Sequence, residues 1–488
     1  MPNKRASPTK RGQLMRKTKV ICTMGPASED PQVLSKMMQA GMNIARLNMS
    51  HAKKGEYDAP LTKIELVRKV QKELGNHIGI MLDTKGPEIR LRTFEGGEVV
   101  LQEGDKFVLT TDQSVVGTKD KVAVSYLNLP KKVKKGDSVL INDGQVDLTV
   151  LSTTDTTVTT QVKYGGKLSN NKAVNLPDVD LDMPFVSDID REDIEWGIKQ
   201  GVHYIALSFV RMAQDVLDVR AILKQHKAEH IQLISKIENR QGVNNLIEII
   251  QASDGIMVAR GDMGVEIPFV EVPLIQKKMI HDCNIAGKYV ITATHMLESM
   301  TNAPRPTRAE VSDVANSVLD GTDCNMLSGE SAAGKYPVAA VAAMVSIDEY
   351  TENGIDYKSK FDYLSLHNSD PSIVVSQAAV SSAMAMNAKA IVVPTDTGRS
   401  VREIVRFRPS MPIIAVCSDP FVADQLAIAW GVVSTVTTKP STNDDIIKDA
   451  LAKAVATGLV AKGDIVVVPM NSLTGKRGST NNIRVEKI

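Results

Sequence analysis

The sequence has few cysteines, almost no net charge and no long apolar run, and each shortage excludes a class of protein. Only 4 of its 488 residues are cysteine, and they stand far apart, so a disulfide scaffold and a cysteine-based metal site are both disfavoured. The formal net charge of +1 gives no electrostatic basis for binding nucleic acid or an anionic membrane surface. No apolar run reaches the ~20 residues that a membrane-spanning helix needs. We therefore expect a cytoplasmic protein with no nucleic-acid and no membrane partner.

The chain does have length and a repeating alternation of strands and helices. A chain of 488 residues is too long for one core, so several domains are expected. Residues 1–17 are basic and lack an apolar stretch, which predicts an N-terminal arm rather than a secretory signal. In residues 18–85 and 184–354, short apolar runs alternate with helical patterns. Three strands before the intervening segment and five after it make eight, which is typical of a TIM (β/α)8 barrel.

The individual elements follow from apolar spacing and from glycines that end helices. The strands predicted for the barrel are 19–23, 43–48, 78–83, 203–209, 231–237, 255–259, 289–294 and 324–327. The helices predicted for it are 31–40, 63–74, 215–224, 243–252 and 307–319.

Two further domains are predicted from changes in composition. Residues 86–183 are rich in Gly, Asp, Thr and Val in short alternating runs, which predicts an inserted β-barrel lid domain. Residues 355–488 return to alternating strands and helices and predict an open, mostly parallel α/β sheet. The fold class is therefore α/β: a TIM (β/α)8 barrel with an inserted all-β lid domain and a C-terminal open α/β sheet domain.

The carboxyl ends of the barrel strands, which form the active-site face of such barrels, carry charged side chains. Lys236 and Glu238 lie two residues apart on one strand, so they share a face. Glu238 and Asp262 offer the carboxylate oxygens that Mg²⁺ or Mn²⁺ prefers, and Arg46 and Arg90 offer guanidinium groups suited to phosphate. Phosphoryl transfer needs such a set, because its barrier falls mainly through positioning and charge neutralisation. The alternative is a set of salt bridges around the barrel mouth.

A second, oxygen-rich cluster carries one full charge and comprises Asn48, Ser50, Asp83 and Thr84. It suits a monovalent cation, although these residue types are also common as helix caps and in turns. Gly261 and Gly264 flank Asp262 and predict a glycine turn before a short helix. Such a turn either offers backbone N–H groups to an anion or simply joins a strand to a helix.

Several segments closely resemble the pyruvate kinase family, and the match runs from about Thr18 to the end of the chain. The most specific are ARLNMSH at 45–51, LDTKGPEIR at 82–90, ISKIEN at 234–239, VARGDMGVE at 258–266, PRPTRAE at 304–310 and MLSGE at 326–330. The resemblance implies phosphoryl transfer from phosphoenolpyruvate to ADP, giving pyruvate and ATP in glycolysis. It also implies a homotetramer that is activated by K⁺ and regulated allosterically.

The resemblance implies a role for each matching residue. Catalysis would rest on Lys236, Thr294 and Arg46. The substrate would contact Arg46, Lys236, Gly261, Asp262 and Thr294. The nucleotide would contact Arg46, Asn48, His51, Arg90 and Lys172. The divalent cation would be held by Glu238 and Asp262, and K⁺ by Asn48, Ser50, Asp83 and Thr84. Family members with Glu at the position of Glu88 tend to need K⁺, whereas those with Lys there do not.

The third domain contains a loop that predicts a phosphate cradle, because hydroxyl and glycine N–H groups stand between a strand and a helix. The resemblance implies a sugar-phosphate effector bound by Thr395, Thr397, Gly398, Arg399 and Ser400, with the loop 474–480 closing over it. The alternative is an ordinary capped helix start. The chain differs from the residues that are frequent in the family at two positions. It has His295 where Gln is common, and it has Ala173 after Lys172 where Gly is common.

Two other functions fit part of this pattern. A metal-dependent lyase or aldolase would share the carboxylates but would not require the K⁺ cluster, the nucleotide arginines or the lid. A catalytically dead regulator would bind metabolites through the third domain, but intact residues at 236, 238, 262 and 294 argue against it.

Overall fold

The computed structural model describes residues 15–51, 55–365, 370–438, 442–471 and 480–488. Most of the predicted basic arm and nearly all of the loop 474–480 lie outside these ranges. The strands are β1 Lys19–Thr23, β2 Ile44–Asn48, β3 Gly79–Asp83, β4 Ile89–Arg90, β5 Glu98–Leu101, β6 Lys106–Thr110, β7 Lys121–Ala123, β8 Ser138–Ile141, β9 Val146–Thr153, β10 Thr157–Tyr164, β11 Gly166–Ser169, β12 Ala173–Asn175, β13 Tyr204–Leu207, β14 Gln232–Ile237, β15 Gly255–Ala259, β16 Tyr289–Ala293, β17 Cys324–Leu327, β18 Ala390–Thr395, β19 Ile413–Cys417, β20 Val432–Val436, β21 Ile465–Met470 and β22 Asn482–Lys487.

The helices surround these sheets. They are α1 Pro31–Ala40, α2 Asp58–Leu74, α3 Leu129–Lys132, α4 Asp188–Gln200, α5 Ala213–Gln225, α6 Arg240–Asn244, α7 Leu246–Ala252, α8 Arg260–Glu266, α9 Val272–Ala286, α10 Arg308–Asp320, α11 Gly329–Ala332, α12 Pro337–Glu352, α13 Tyr357–Leu364, α14 Pro371–Ala385, α15 Arg399–Val405, α16 Pro420–Gln425 and α17 Asn443–Ala456.

Eight parallel strands close into a barrel in the order β1-β17-β16-β15-β14-β13-β3-β2, which confirms the predicted TIM barrel. The strands are buried on both faces, as parallel strands covered by helices must be. Local signals set the first helix: the Asp30 side chain accepts hydrogen bonds from the N–H groups of Gln32 and Val33, and Gly41 ends the helix at φ 118°. The closing pair joins β1 to β17, about 300 residues later in the chain.

The inserted segment is a separate β domain with its own apolar core. Its strands form a seven-stranded sheet in the order β4-β12-β8-β9-β10-β6-β7 and a two-stranded ribbon of β11 and β5. The all-β lid is therefore confirmed as a β domain. Backbone hydrogen bonds also join the two end strands of the larger sheet, from the N–H of Arg92 to the carbonyl of Ala123 and from the N–H of Ser125 to the carbonyl of Arg90. The predicted barrel for this segment stays a prediction.

The C-terminal domain is an open sheet in the order β20-β19-β18-β21-β22. The first four strands are parallel and β22 is antiparallel, which confirms the predicted, mostly parallel α/β sheet. The domain packs against the amino ends of the barrel strands, where Gln425 donates to the carbonyl of His203. Within the ranges described, no helix is long and apolar enough to cross a membrane.

Three predicted elements differ from the structure. Helix α2 begins at Asp58 rather than at residue 63. The helix predicted over 243–252 is two helices that meet at Asn245, whose side-chain amide donates to the carbonyl of Arg211 instead of continuing the helix. The glycine turn predicted at 261–264 is itself helical, since it forms most of α8. The predicted boundaries of the N-terminal arm (1–17), the barrel (18–85 and 184–354), the β domain (86–183) and the C-terminal domain (355–488) stay a prediction.

Candidate active site

A buried charge network lies at the carboxyl ends of β2, β3 and β14. Arg46 Nε donates to Asp83 Oδ2 at 2.7 Å, and Lys236 Nζ donates to Asp83 Oδ1 at 3.1 Å. Lys236 Nζ also lies 3.0 Å from Glu238 Oε1 and donates to the Ser208 hydroxyl at 2.7 Å. Burial alone would raise the pKa of Asp83, but the charges of Arg46 and Lys236 hold it below its ordinary value. The carboxylate is therefore ionised and fixes both cations.

Lys236 keeps its proton in this network. Burial opposes the charge on the lysine, which is only 8% exposed, but the carboxylates of Asp83 and Glu238 outweigh it and raise its pKa. Its side chain is held by three oxygen atoms, so the ammonium group has a fixed position. This arrangement suits a residue that stabilises a moving anion, because the charge needs no reorganisation during reaction.

Glu238 is the least satisfied charged group of the network. It is fully buried, and burial raises its pKa to about 8; the charge of Lys236 works against that rise, while the nearby Asp262 adds to it. Its Oε2 accepts from the N–H of Phe209 at 2.7 Å, whereas Oε1 has no aligned hydrogen-bond donor. A buried carboxylate oxygen whose only close partner is the Lys236 ammonium, beside a second carboxylate, fits a hard divalent cation. Within the described ranges no three His, Cys, Asp or Glu side chains form a metal cage, so such an ion would complete its shell with substrate and water.

The first turn of α8 meets the loop after β16. The N–H of Gly261 donates to Thr294 Oγ1 at 2.7 Å, and Arg260 Nη2 donates to the carbonyl of Thr294 at 2.6 Å. Thr294 has φ 67°, which is unusual for a β-branched residue and stores backbone strain. The two hydrogen bonds hold the strained loop in place, so the Thr294 hydroxyl lies against the amino end of α8.

The oxygen-rich cluster predicted for K⁺ is brought together by the pairing of β2 with β3. Asn48 and Asp83 are register partners at the ends of these strands, and Thr84 follows directly. Asn48 Oδ1 accepts from the N–H of Ser50 at 3.1 Å, and Thr84 Oγ1 accepts from the N–H of Ser208 at 3.3 Å. Because Arg46 and Lys236 already balance the charge of Asp83, the cluster fits a monovalent cation better than a divalent one.

A cleft of about 660 Å³ separates the barrel mouth from the β domain. Its wall includes Ser50, Glu88, Arg90, Lys172 and Asp262. Arg90 Nε donates to Glu88 Oε2 at 2.8 Å, so these two side chains are in contact in the region predicted to bind the nucleotide. Arg46 lies below this wall, where it bonds Thr23 and Asp83, and the side chain of His51 lies outside the described part of the chain.

Several cleft residues were missed by the sequence analysis. Asn175 of the β domain donates from Nδ2 to Glu266 Oε1 of the barrel at 2.7 Å, and burial raises the pKa of Glu266 to about 7. Arg240 donates from Nε to Asp178 Oδ1 at 3.1 Å, which ties the end of the β domain to the barrel. The signal for Glu266 is its spacing: it follows Asp262 by four residues, so both lie on one face of α8.

The loop predicted to bind an effector joins β18 to α15. The N–H of Gly398 donates to Thr395 Oγ1 at 2.9 Å, and Gly398 has φ 72°. Arg399 pairs with Glu403 at 2.9 Å, and Ser400 Oγ lies 2.8 Å from Thr480 Oγ1. The structure therefore brings the loop next to the residue at which the described chain resumes after position 471.

Comparisons with known proteins agree along the chain. A family model described as pyruvate kinase, barrel domain, matches residues 15–341, and one described as pyruvate kinase, alpha/beta domain, matches residues 374–486. A pyruvate kinase of Geobacillus stearothermophilus is 45% identical over 481 residues, covering 97% of this chain and 81% of the relative. A pyruvate kinase of Clostridium acetobutylicum is 44% identical over 475 residues, covering 97% and 100%. The crystal structure of a pyruvate kinase from Cryptosporidium parvum superposes with a TM-score of 0.92 at 39% identity, covering 97% and 96%.

Proposed function

The chain belongs to the pyruvate kinase family and is a phosphotransferase, and we propose that it moves a phosphoryl group from phosphoenolpyruvate to ADP with a divalent cation and K⁺ as cofactors. The observation that carries this proposal is the fixed ammonium group of Lys236, which Asp83 and Glu238 hold at the barrel mouth. A positive charge at this position would offset negative charge on the phosphoryl group in flight. The cleft above it is wide enough for a nucleotide.

The division of labour among the residues follows from their positions. Lys236 would stabilise the phosphoryl group and then the enolate of pyruvate. The backbone of Gly261 and Asp262, together with the Thr294 hydroxyl, would hold the carboxylate of the substrate at the start of α8. Arg90 and Lys172 on the β-domain side would contact the nucleotide phosphates. Closure of the β domain would exclude water, so that phosphate is not lost to hydrolysis.

Both proposed cations have a place in this scheme. Glu238 and Asp262 would hold Mg²⁺ or Mn²⁺, which supplies charge neutralisation to the phosphoryl and enolate oxygens when bound. Asn48, Ser50, Asp83 and Thr84 would hold K⁺ next to Lys236. The Oε1 of Glu238, which has no aligned hydrogen-bond donor, supports the first site, and the pairing of Asn48 with Asp83 supports the second.

Regulation, assembly and location are further parts of the proposal. The loop Thr395–Ser400 would bind a sugar phosphate, supported by its position between β18 and α15. Assembly into a homotetramer is supported by exposed apolar residues near the start of α9, where Phe269 is 79% and Leu274 is 73% exposed. The proposed location is the cytoplasm, where phosphoenolpyruvate and ADP of glycolysis meet.

The reaction is tested by coupling pyruvate formation to lactate dehydrogenase, with phosphoenolpyruvate, ADP and Mg²⁺, in wild type and Lys236→Met. We expect activity to fall by about 10²–10³-fold in the variant, because one preorganised positive charge is removed from the transition state. Lys277→Met is the matched control, since Lys277 is exposed and pairs with Asp320 on the barrel surface. Pyruvate formation that does not require ADP would instead support a lyase, and none at all, with sugar phosphates added, would support a dead regulator.

The K⁺ proposal has its own test in the same assay. We expect wild-type activity to require K⁺ and Glu88→Lys to require it less, because a lysine at position 88 would bring its own positive charge to the cleft beside Arg90. Glu103→Lys, an exposed position on the β domain, makes the same charge change away from the cleft. Wild-type activity that is indifferent to K⁺ would remove the monovalent site and leave the kinase reaction standing.

A further inference from the structure

A second cavity lies where the C-terminal domain meets the amino ends of the barrel strands, on the opposite side of the barrel from the active site. We call it the junction cleft. Its walls include Lys288 and Tyr289 at the start of β16, Arg402 of α15 and Arg406 directly after that helix. Both domains therefore contribute cations to one small space.

Three of these cations form no ion pair within the described ranges, although the charge of Asp254 acts on Lys288 and those of Glu403 and Asp370 act on Arg406. Among the residues that the structure describes, no carboxylate lies within ion-pair distance of Lys288, Arg402 or Arg406. The fourth cation of the cleft, Arg408, is paired with Asp323 at 2.8 Å.

Three other acids lie near these cations, and two of them pair with cations elsewhere, whereas Asp370 caps α14 and has no cationic partner among the described residues. Asp254 pairs with Arg220 at 2.9 Å, and Glu403 pairs with Arg399 at 2.9 Å. With Asp370 counted against the three cations, the cleft is left with about two uncompensated positive charges.

The protein environment makes this charge costly. Arg402 and Arg406 are four residues apart, and like charges at this spacing repel. Burial lowers the pKa of Lys288 and of Arg406, which shows that both cations are partly removed from water. An anion in the cleft would offset both effects.

An unpartnered buried donor faces the same cations. Tyr289 is only 4% exposed, and its hydroxyl has no hydrogen-bond partner in the described structure. Burial raises the pKa of this hydroxyl, the charge of Arg402 lowers it, and those of Asp323 and Asp254 raise it; Tyr289 and Arg402 both line the cleft. Buried hydroxyl groups without a partner are rare, and each suggests a bound water or ion.

The cations are held in place before any ligand binds. Arg402 Nη1 donates to the carbonyl of Thr397 at 3.2 Å, and Arg406 Nη2 donates to the carbonyl of Ile285 at 3.2 Å. Arg406 also lies directly on Gly287, where an added Cβ would come within 2.5 Å of its Nε. Donors fixed in this way lose little entropy when they bind.

We propose that the junction cleft binds a small inorganic anion, which bridges the barrel and the C-terminal domain. The enclosed space is about 10 Å³, which is room for one water-sized group. It therefore admits a halide ion or one oxygen of a phosphate-like oxyanion, whose other oxygens would meet the guanidinium groups at the open mouth. The organic part of a phosphate ester would have to stay outside the enclosed space.

The first test is crystallographic. Crystals grown without phosphate or sulfate are soaked in sodium selenate or, separately, in sodium bromide, and both ions are located by anomalous scattering. We expect a peak within hydrogen-bond distance of the Tyr289 hydroxyl and Arg402. A selenate peak identifies an oxyanion site and a bromide peak a halide site, whereas peaks elsewhere with none in the cleft would overturn the proposal.

The second test measures binding in solution. An anion that binds only at the high concentration of a crystal soak would show no effect here, and that result would count against the proposal. The midpoint of thermal unfolding is followed during titration with inorganic phosphate and with chloride, at constant ionic strength. Tyr289→Phe keeps the ring and removes the hydroxyl, and Arg402→Gln removes one cation. We expect each to weaken the apparent affinity of the stabilising anion about tenfold, the typical value of a charge-assisted hydrogen bond.

The control is Lys277→Gln, a cation on α9 that already pairs with Asp320; it should leave the anion dependence unchanged. Tyr289→Phe should unfold at or above the wild-type temperature without the anion, because an unpaired buried hydroxyl has been removed. Titrations of wild type and both cleft variants that coincide would assign any anion effect to other sites and contradict the proposal.

Discussion

Glu238 is a carboxyl group that the fold buries next to another negative charge. A raised pKa in the folded chain means that the folded state holds a proton more tightly than the unfolded state does. Without metal, this group therefore destabilises the protein as pH rises from about 4.5 to about 8. The cost is consistent with a carboxylate whose counter-ion is a metal rather than the lysine alone.

We predict that, without metal at pH 8, the unfolding temperature of Glu238→Gln is equal to that of wild type or several degrees higher, since the buried charge is gone. We further predict that Mn²⁺ raises the unfolding temperature of wild type and has little effect on the variant. Thermal unfolding with and without MnCl₂, after treatment with a chelator, measures both.

Glu266→Gln provides the comparison for this prediction. Glu266 is also a buried carboxyl group with a raised pKa, and it lies one turn after Asp262 on α8, but its carboxylate accepts from Asn175 and it is not one of the two proposed ligands. It should keep most of the Mn²⁺ effect. A Glu238→Gln protein that Mn²⁺ stabilises as strongly as wild type would show that Glu238 is not a ligand.

Asp190 acts on the scale of an element, because one carboxylate ties the β domain to helix α4. Its Oδ1 accepts from the N–H groups of Lys85 and Gly86 at 3.1 and 3.2 Å, at the point where the chain leaves the barrel. Its Oδ2 accepts from the hydroxyl of Ser187, which caps α4 where the chain returns. Asp190 therefore anchors both connections of the β domain.

Asp190→Ala is predicted to speed amide hydrogen exchange at Lys85 and Gly86 by about tenfold or more, because hydrogen bonds to a charged acceptor are lost. Asp190→Asn retains an acceptor oxygen, so its exchange rates should lie between those of Asp190→Ala and wild type. Exchange followed by mass spectrometry of a peptide covering 84–88 measures this. Asp188→Ala removes an exposed carboxylate from the first turn of the same helix and should change little; equal exchange in all four proteins would contradict the anchoring role.

The elements that could be predicted from the sequence are those with strong local signals. Helix α1 has an aspartate cap, a proline at its first position and a glycine at its end, and its predicted bounds are correct. Strand β15 is a continuous apolar run and β17 is apolar apart from Asn325, and both were also predicted with correct bounds. Helix α8 was missed because two of its seven residues are glycine, which disfavours helix locally, so the fold must hold it.

The sequence indicates which residues belong to the candidate site, but it does not indicate which of them are in contact. Lys236 and Glu238 stand out from their spacing on one strand, whereas the contact of Lys236 with Asp83 joins residues 153 positions apart. The Asn175–Glu266 bond joins two domains. Such contacts depend on barrel closure and domain docking, which no local pattern encodes.

On the scale of the whole molecule, the C-terminal domain docks on the amino ends of the barrel strands through buried polar groups. The N–H of Gly431 donates to the carbonyl of Lys17 at 2.9 Å, and Lys19 Nζ donates to the carbonyl of Val432 at 2.7 Å. The ring of His203 packs on Phe421 of the C-terminal domain with centroids 4.6 Å apart. The docking surface therefore includes titratable groups that folding removes from water.

His203 makes this docking sensitive to acid. Its ring is 5% exposed, its Nδ1 accepts from the N–H of Ile80 at 2.9 Å, and burial lowers its pKa to about 4. The unfolded chain takes up a proton here below about pH 6.5 and the folded chain does not, so stability is complete above pH 6.5 and falls as pH drops toward 4. The loss at pH 5 is about 2 kcal/mol.

The variant His203→Asn keeps an acceptor near the position of Nδ1 but cannot titrate. Its unfolding temperature should therefore drop less between pH 7 and pH 5 than that of wild type. The control His281→Asn changes an exposed position and should follow wild type. Equal acid sensitivity in all three proteins would exclude His203 as the cause.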